Sequence, residues 1–198
     1  MVVVNFLFVS LQSEIIQFWG YPAEEYEVLT EDGYYLTLNR IPGNRKGSKS
    51  PVLLVHCLVM EGSVWVANLP HESLGFKLAD AGYDVWIANN RGTSWSRRHQ
   101  HLSIDQEEFW DFSFHEVGIY DISATINFIL QKMDTRTIYF VCHSQGCSIA
   151  FVAFSVIPQL ADKVKMLFAL APAYTFQGSR SILMKIIHLP EPLLKKGG

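Results

Sequence analysis

The 198-residue chain carries no Asn-x-Ser/Thr sequon, so no N-glycosylation acceptor marks its surface. It has only three cysteines, Cys57, Cys142 and Cys147. An odd count without framework spacing excludes a disulfide scaffold. All three lie in apolar stretches and read as small buried residues; a catalytic thiol at Cys142 or Cys147 would need a partner base that the sequence does not identify. Charge of one sign is not in excess either. The net charge is −3, which gives no electrostatic footprint for nucleic acid. The one basic run, Arg97-Arg98-His99-Gln100-His101, reads as a local solvated loop. With no further ligands grouped near His99 and His101, no metal is expected there. Long hydrophobic runs are missing too. The first eleven residues are apolar but too short to span a bilayer, so no transmembrane segment is expected. They also lack a basic n-region and a small-x-small cleavage site, so residues 1–12 read as a leader remnant and the location stays unassigned.

What is present describes a globular domain. The chain is 49% hydrophobic and 18% charged, and its length suits one domain or part of a larger one. Its most informative stretch is residues 137–154. Ile138, Tyr139, Phe140 and Val141 form a short β-branched and aromatic run, as in a buried strand. Ile149, Phe151, Val152, Ala153 and Phe154 form an apolar segment that fits a buried helix. Between them lies Cys142-His143-Ser144-Gln145-Gly146. A serine on a tight strand-to-helix turn with small residues two positions either side is the layout of a nucleophile elbow. The following helix aims its free N–H groups at the same place, where they can steady a tetrahedral oxyanion. The bland alternative is a strand, a serine N-cap and a helix.

The remaining segments alternate. Residues 14–20 predict a short helix, and residues 26–30 and 34–41 a hairpin turning at Asp32-Gly33. A polar loop follows over 43–50, then strands at 52–56 and 83–88 with a helix at 74–81 between them. From Ile119 the apolar positions Ile122, Ile126, Ile129, Leu130 and Met133 make an amphipathic stripe that packs on a sheet. A strand at 166–171 and a helix at 181–187 close the reading. A hairpin followed by alternating strands and helices predicts a three-layer α/β domain with a mostly parallel sheet. Active residues then gather at the carboxyl ends of strands. One such end carries Ser144; another carries His56-Cys57-Leu58-Val59, where a backbone N–H supplies a second oxyanion donor.

Trp19-Gly-Tyr-Pro22, Glu24-Glu-Tyr-Glu27, Thr30-Glu-Asp-Gly-Tyr34, Asn39-Arg-Ile-Pro42, Ala79-Asp-Ala-Gly-Tyr-Asp-Val-Trp86, Arg91-Gly92, Trp95-Ser-Arg-Arg98, His143-Ser-Gln-Gly146 and Ala169-Leu-Ala-Pro172 together resemble the acid lipase family, which includes the gastric and lysosomal acid lipases. The resemblance runs from about residue 13 to near residue 198. It implies a three-layer α/β-hydrolase fold, represented over 13–198 by its N-terminal portion, before the lid and the last strands. It also implies hydrolysis of triacylglycerols or cholesteryl esters through an acyl-serine, without cofactor. The implied partners are a neutral lipid ester and a lipid–water interface, in a secreted or lysosomal setting. By matching position Ser144 is the nucleophile, and the backbone N–H groups of Leu58 and Gln145 form the oxyanion hole.

The family pattern has glycine where this chain has Cys57 and Cys142, and these cysteines are expected to lower catalytic quality. The family's catalytic acid and histidine lie farther beyond the serine than any residue here; Asp162 and His188 do not match them and read as surface residues. The leading expectation is therefore a lipase-like serine ester hydrolase that is inactive over residues 1–198 alone. The alternatives are a non-catalytic lipase-like module that binds lipid or a partner, and the product of a degenerate gene. The last strand, at 166–171, is expected to leave an apolar edge.

Overall fold

The computed structural model describes residues 12–43 and 49–173. The expected leader at 1–12 lies outside the described residues apart from its last, and so does the helix expected at 181–187. Three apolar runs of the sequence become the central strands β3 (Lys49–Val55), β4 (Tyr83–Ala88) and β6 (Ile138–His143). Each is largely apolar because both its faces are covered, and the two-residue period of a strand sorts its side chains. Leu53, Val55, Trp86, Ala88, Phe140 and Cys142 join one buried cluster; Val52, Leu54, Val85, Ile87 and Val141 join a second on the opposite face.

The hairpin is β1 (Glu24–Leu29) and β2 (Tyr34–Ile41), with Gly33 at φ 98 in the turn. A two-residue strand β5 (Arg98–His99) and a last described strand β7 (Val164–Leu170) complete the set. The sheet runs β1-β2-β4-β3-β6-β7, with β5 beside β2. The hairpin is antiparallel and joins antiparallel to β4; β4, β3, β6 and β7 are mutually parallel. Helices α1 (Gln12–Phe18) and α2 (Leu74–Asp80) contribute Ile15, Ile16 and Phe76 to the second cluster. Helices α4 (Ser123–Lys132) and α5 (Gln145–Val156) contribute Ile126, Ile129, Ile149 and Ala153 to the first. Because α2 follows β3 on one face and α5 follows β6 on the other, the connections leave these two adjacent strands in opposite directions. That switch point opens a crevice at the carboxyl end of the sheet.

Two sequence readings need correction. The basic run is not only a solvated loop. Arg98 and His99 pair with Tyr35 and Tyr34, and His99 Nε2 lies 2.9 Å from the Asp32 carbonyl. The His99 Nδ1 accepts from the backbone N–H groups of His101 and Leu102, so Nε2 carries the proton and donates to the hairpin turn. The helix expected from Ile119 begins earlier. Ser113 and Glu116 form a reciprocal capping box that starts the three-residue helix α3 (Phe114–Glu116), and a π-helical turn (Val117–Ile122) joins it to α4. The π turn is held at close contacts. A Cβ on Gly118 would stand 2.9 Å from the Ile149 carbonyl, so this segment lies against α5 at backbone distance. From the same turn Asp121 reaches Arg91.

Arg91 follows β4 and ties three segments together. Its backbone N–H and Nε donate to Asp121 at 2.8 and 2.7 Å, and its two terminal nitrogens donate to Asp32 at 2.5 and 2.8 Å. Its guanidinium lies 3.9 Å from the centre of the Tyr34 ring. The Arg91 and Asp121 side chains are 1% and 0% exposed, so neither charge has water as an alternative partner. Complete burial pushes the Asp121 carboxyl up to about 6, with the Arg91 contacts opposing that rise. Removing one member of such a pair strands the other. Arg91→Met is therefore expected to cost roughly 3–5 kcal/mol in a urea unfolding measurement, and Arg91→Met combined with Asp121→Leu to cost clearly less. Equal losses in the two proteins would mean that the ion pair is not what holds the segment.

Candidate active site

The turn between β6 and α5 bends back on one residue. Ser144 has φ 52 and ψ −115, a backbone conformation that costs a side-chain-bearing residue energy. The surroundings over-determine it. The Ser144 N–H donates to the Leu170 carbonyl at 3.0 Å, and its carbonyl accepts from Cys147 at 3.0 Å and Ala173 at 3.2 Å. Gly146 is needed for approach: a Cβ there would stand 2.5 Å from the His56 carbonyl and 3.0 Å from that of Val55. Helix α5 therefore starts against the backbone of β3, and the loop leaving β3 lies beside the N–H groups that open the helix.

That loop contains Leu58. Neither the Leu58 nor the Gln145 N–H donates to another described residue, so both are free to meet an oxygen. Val59, next to Leu58, sits at φ 54 and is 77% exposed, a rare combination for a β-branched residue. The resemblance places Cys57 and Cys142 where the family pattern has glycine, a residue free to take a positive φ. Neither cysteine has a positive φ; among the described residues the non-glycine positions that do are Val59, Asp134, Ser144 and Ala171, and Val59 and Ser144 lie on the two loops of the site. Cys142 is fully buried and fits the first core cluster without needing glycine's freedom.

His56 organises the loop. Its Nε2 accepts from the Asn90 N–H at 3.2 Å, so the ring proton is on Nδ1, 2.9 Å from the Cys57 carbonyl. One neutral ring thus fastens the exit of β3 to the exit of β4. Burial holds its pKa below the ordinary 6.5, against the hydrogen bond to Cys57, which raises it.

Around these residues is a cleft of about 1220 Å³ whose lining includes His56, Leu58, Arg91, Gln145 and Ile149. Val59, Met60, Trp110 and Phe114 also line it, and each exposes between 43% and 77% of its surface. The arrangement can hold an ester carbonyl against two N–H donors with apolar chains laid along the rim. The structure brings Ser144, Gln145 and the Leu58 loop together. It does not bring Asp162, which is exposed after α6 (Pro158–Ala161); His188 lies outside the described residues. Among the described residues no side chain hydrogen-bonds the Ser144 hydroxyl. Arg91, Asp121 and Asn90 escaped sequence reasoning because their partners are 30 or more positions away, although the Ser113-x-x-Glu116 capping signal next to them was legible.

A profile described as alpha/beta hydrolase fold matches residues 50–190, and one described as partial alpha/beta-hydrolase lipase region matches residues 12–69. Human lipase member M is 54% identical over 92% of this chain and 44% of its own length. Human lysosomal acid lipase/cholesteryl ester hydrolase is 53% identical over 92% of this chain and 47% of its own length. Human gastric triacylglycerol lipase is 48% identical over the same shares. The chain thus spans about half the length of these curated relatives. Among solved structures, an esterase of Pyrococcus furiosus superposes with a TM-score of 0.60 at 18% identity, over 90% of this chain and 60% of its own. That likeness concerns the fold.

Two measurements probe this geometry. Ser144→Gly relieves the strained backbone and is expected to raise stability by roughly 1 kcal/mol in chemical denaturation, net of the entropy that glycine adds to the unfolded chain. A loss instead would mean that the turn is not strained. For His56 the folded state keeps the ring neutral while the unfolded state takes up a proton as pH falls through 6.5. Stability is therefore expected to be full above that value, to fall as pH drops below it, and to level off once the lowered folded value is passed. His56→Gln should flatten this slope, and an unchanged slope would assign it to other groups.

Proposed function

The chain belongs to the alpha/beta-hydrolase fold family, and on that premise we propose that it is the nucleophile-bearing portion of a lipase-like serine ester hydrolase acting on triacylglycerols or cholesteryl esters. The observation that carries the proposal is the Ser144 backbone at φ 52, held between β6 and α5 by contacts that leave it no other conformation. In this reading the Ser144 Oγ attacks the ester carbonyl, and the carbonyl oxygen becomes an anion held by the Leu58 and Gln145 N–H groups. Expulsion of the alcohol leaves an acyl-serine, which water hydrolyses. The names of the relatives support the substrate class, as does the apolar rim at Val59, Met60, Trp110 and Phe114. A long acyl chain needs such a surface, since each buried methylene contributes about 0.8 kcal/mol.

A serine hydroxyl is a weak nucleophile until a base removes its proton. The described residues set no base on Ser144, so acyl transfer at an enzymatic rate requires a histidine and an acid from outside them. Without the histidine of a comparable triad the loss is on the order of 10⁶ in kcat, or roughly 8 kcal/mol of barrier. The second reading is a lipase-like module that binds lipid or a partner without turnover, favoured by cysteine at positions 57 and 142 where the family pattern has glycine.

A fluorophosphonate probe separates these readings. In a longer version that supplies the histidine and the acid it is expected to label Ser144, with the label lost in Ser144→Ala, while turnover of a nitrophenyl ester by residues 1–198 stays at background. Equal labelling of Ser144→Ala overturns the assignment. Saturable binding of a triacylglycerol analogue with no labelling in either protein supports the binding module.

A further inference from the structure

A second arginine besides Arg91 lines the cleft, and its charge is unanswered. Arg40 pairs with Glu24 and Asp84, Arg91 with Asp32 and Asp121, and Arg98 with Glu27. Arg97 lines the cleft and pairs with no carboxylate among the described residues. It is nevertheless held in place. Its Nε donates to the Gly92 carbonyl at 3.2 Å, and its guanidinium carbon lies 5.8 Å from the centre of the Trp110 ring. Both supports are themselves fixed. The Gly92 N–H donates to the Ser96 carbonyl at 3.0 Å and closes a loop over residues 92–96, with Gly92 at φ 82. A Cβ on Gly92 would stand 3.0 Å from the Phe112 ring and 3.3 Å from the Trp110 ring, so the loop lies against both aromatics. Trp110 Nε1 donates to the Ile104 carbonyl at 2.7 Å, which sets the orientation of its ring. With Nε engaged, the two terminal nitrogens of Arg97 meet no acceptor among the described residues.

We propose that Arg97 is a head-group subsite of the cleft, which binds the carboxylate of a long-chain fatty acid whose alkyl chain lies along Val59, Met60, Trp110 and Phe114. The subsite rests on the rim being the acyl surface of the proposed hydrolase, and it adds an anionic ligand to the neutral ester. Charge and polarity together select this class. A guanidinium offers parallel N–H donors that match the two oxygens of a carboxylate. A small anion gains from Arg97 and nothing from the rim; a neutral ester gains from the rim and nothing from the charge. An anion on an apolar tail uses both, because Trp110 belongs to the rim and also carries the guanidinium. The other charges of the cleft leave Arg97 as the place for the head. Arg91 is already shared between Asp32 and Asp121, and the His56 ring is neutral. Glu61, close enough to His56 to act on its charge, repels a carboxylate from that side. Hydrolysis of a triacylglycerol or cholesteryl ester releases this class of molecule, so a bound fatty acid competes with the next ester for the same apolar surface.

The test titrates the purified chain at neutral pH with laurate and, in parallel, with lauryl alcohol, both below the concentrations at which they aggregate, and reads binding by calorimetry. Laurate is expected to bind saturably and about fivefold more tightly than the alcohol, the size of a well-placed ion pair at a surface. Arg97 is exposed, so Arg97→Gln leaves the fold intact. It should abolish the preference for laurate and keep the affinity for the alcohol. Arg98→Gln alters the neighbouring cation, which pairs with Glu27, and should keep the preference. The subsite is overturned if laurate and lauryl alcohol bind equally, if the preference survives Arg97→Gln, or if Arg98→Gln removes it to the same degree. Uptake of laurate without saturation overturns it as well. Equal binding of the two ligands sinks the subsite alone; binding of neither sinks it together with the acyl role of the rim.

Discussion

Among the described glycines, the tightest approach to another segment is that of Gly146 to the end of β3. With a Cβ at Gly146 only 2.5 Å from the His56 carbonyl, no larger residue lets α5 begin where it does. Everything at the candidate site depends on that distance. It sets the Gln145 N–H beside the loop that carries Leu58, and it fixes the angle at which α5 leaves the sheet. Ser144 is left to absorb the turn in an unfavourable conformation. The strain is tolerable because the helix after it buries Ile149, Ala150 and Ala153, whose burial outweighs a cost of roughly 1–3 kcal/mol.

A second constraint holds the opposite wall. Arg91 connects the hairpin turn at Asp32, the exit of β4 and the π turn at Asp121, and His56 connects the exit of β4 to the exit of β3 through Asn90. The chain of contacts from Asp32 to Leu58 is polar, buried and nearly all satisfied, which makes the loops around the cleft rigid. Apolar substitutions of similar volume could equal it in stability, but they lack the directional bonds that specify one loop arrangement. The Gly118 contact with Ile149 adds the last link, since it presses the segment bearing Asp121 onto the helix that follows Ser144.

The cleft bounded by these walls is polar at its floor and apolar at its rim. His56, Arg91 and the free N–H groups lie below; Val59, Met60, Trp110 and Phe114 lie exposed above. An ester divides along the same line, with a polar carbonyl and apolar chains.

Sequence alone determined the strands and their order of appearance, because buried parallel strands must be apolar on both faces and are legible as short continuous runs at 52–56, 83–88 and 138–141. It also determined the strand-serine-helix unit, a local arrangement of neighbouring residues with strict size limits, and with it the alpha/beta-hydrolase fold. Other signals were in the sequence but outweighed: the capping box at Ser113 and Glu116 lay in front of the more obvious stripe from Ile122. Tertiary structure alone decided the rest. Arg91 looked like one cation among sixteen, and only the approach of Asp32 and Asp121 from 59 and 30 positions away made it buried and paired. The His99 ring looked solvated until the hairpin turn reached it, and the left-handed backbone fell on Val59 rather than on Cys57. Contacts between distant segments leave no local pattern of size or polarity, so their partners are chosen by how the sheet brings the loops together.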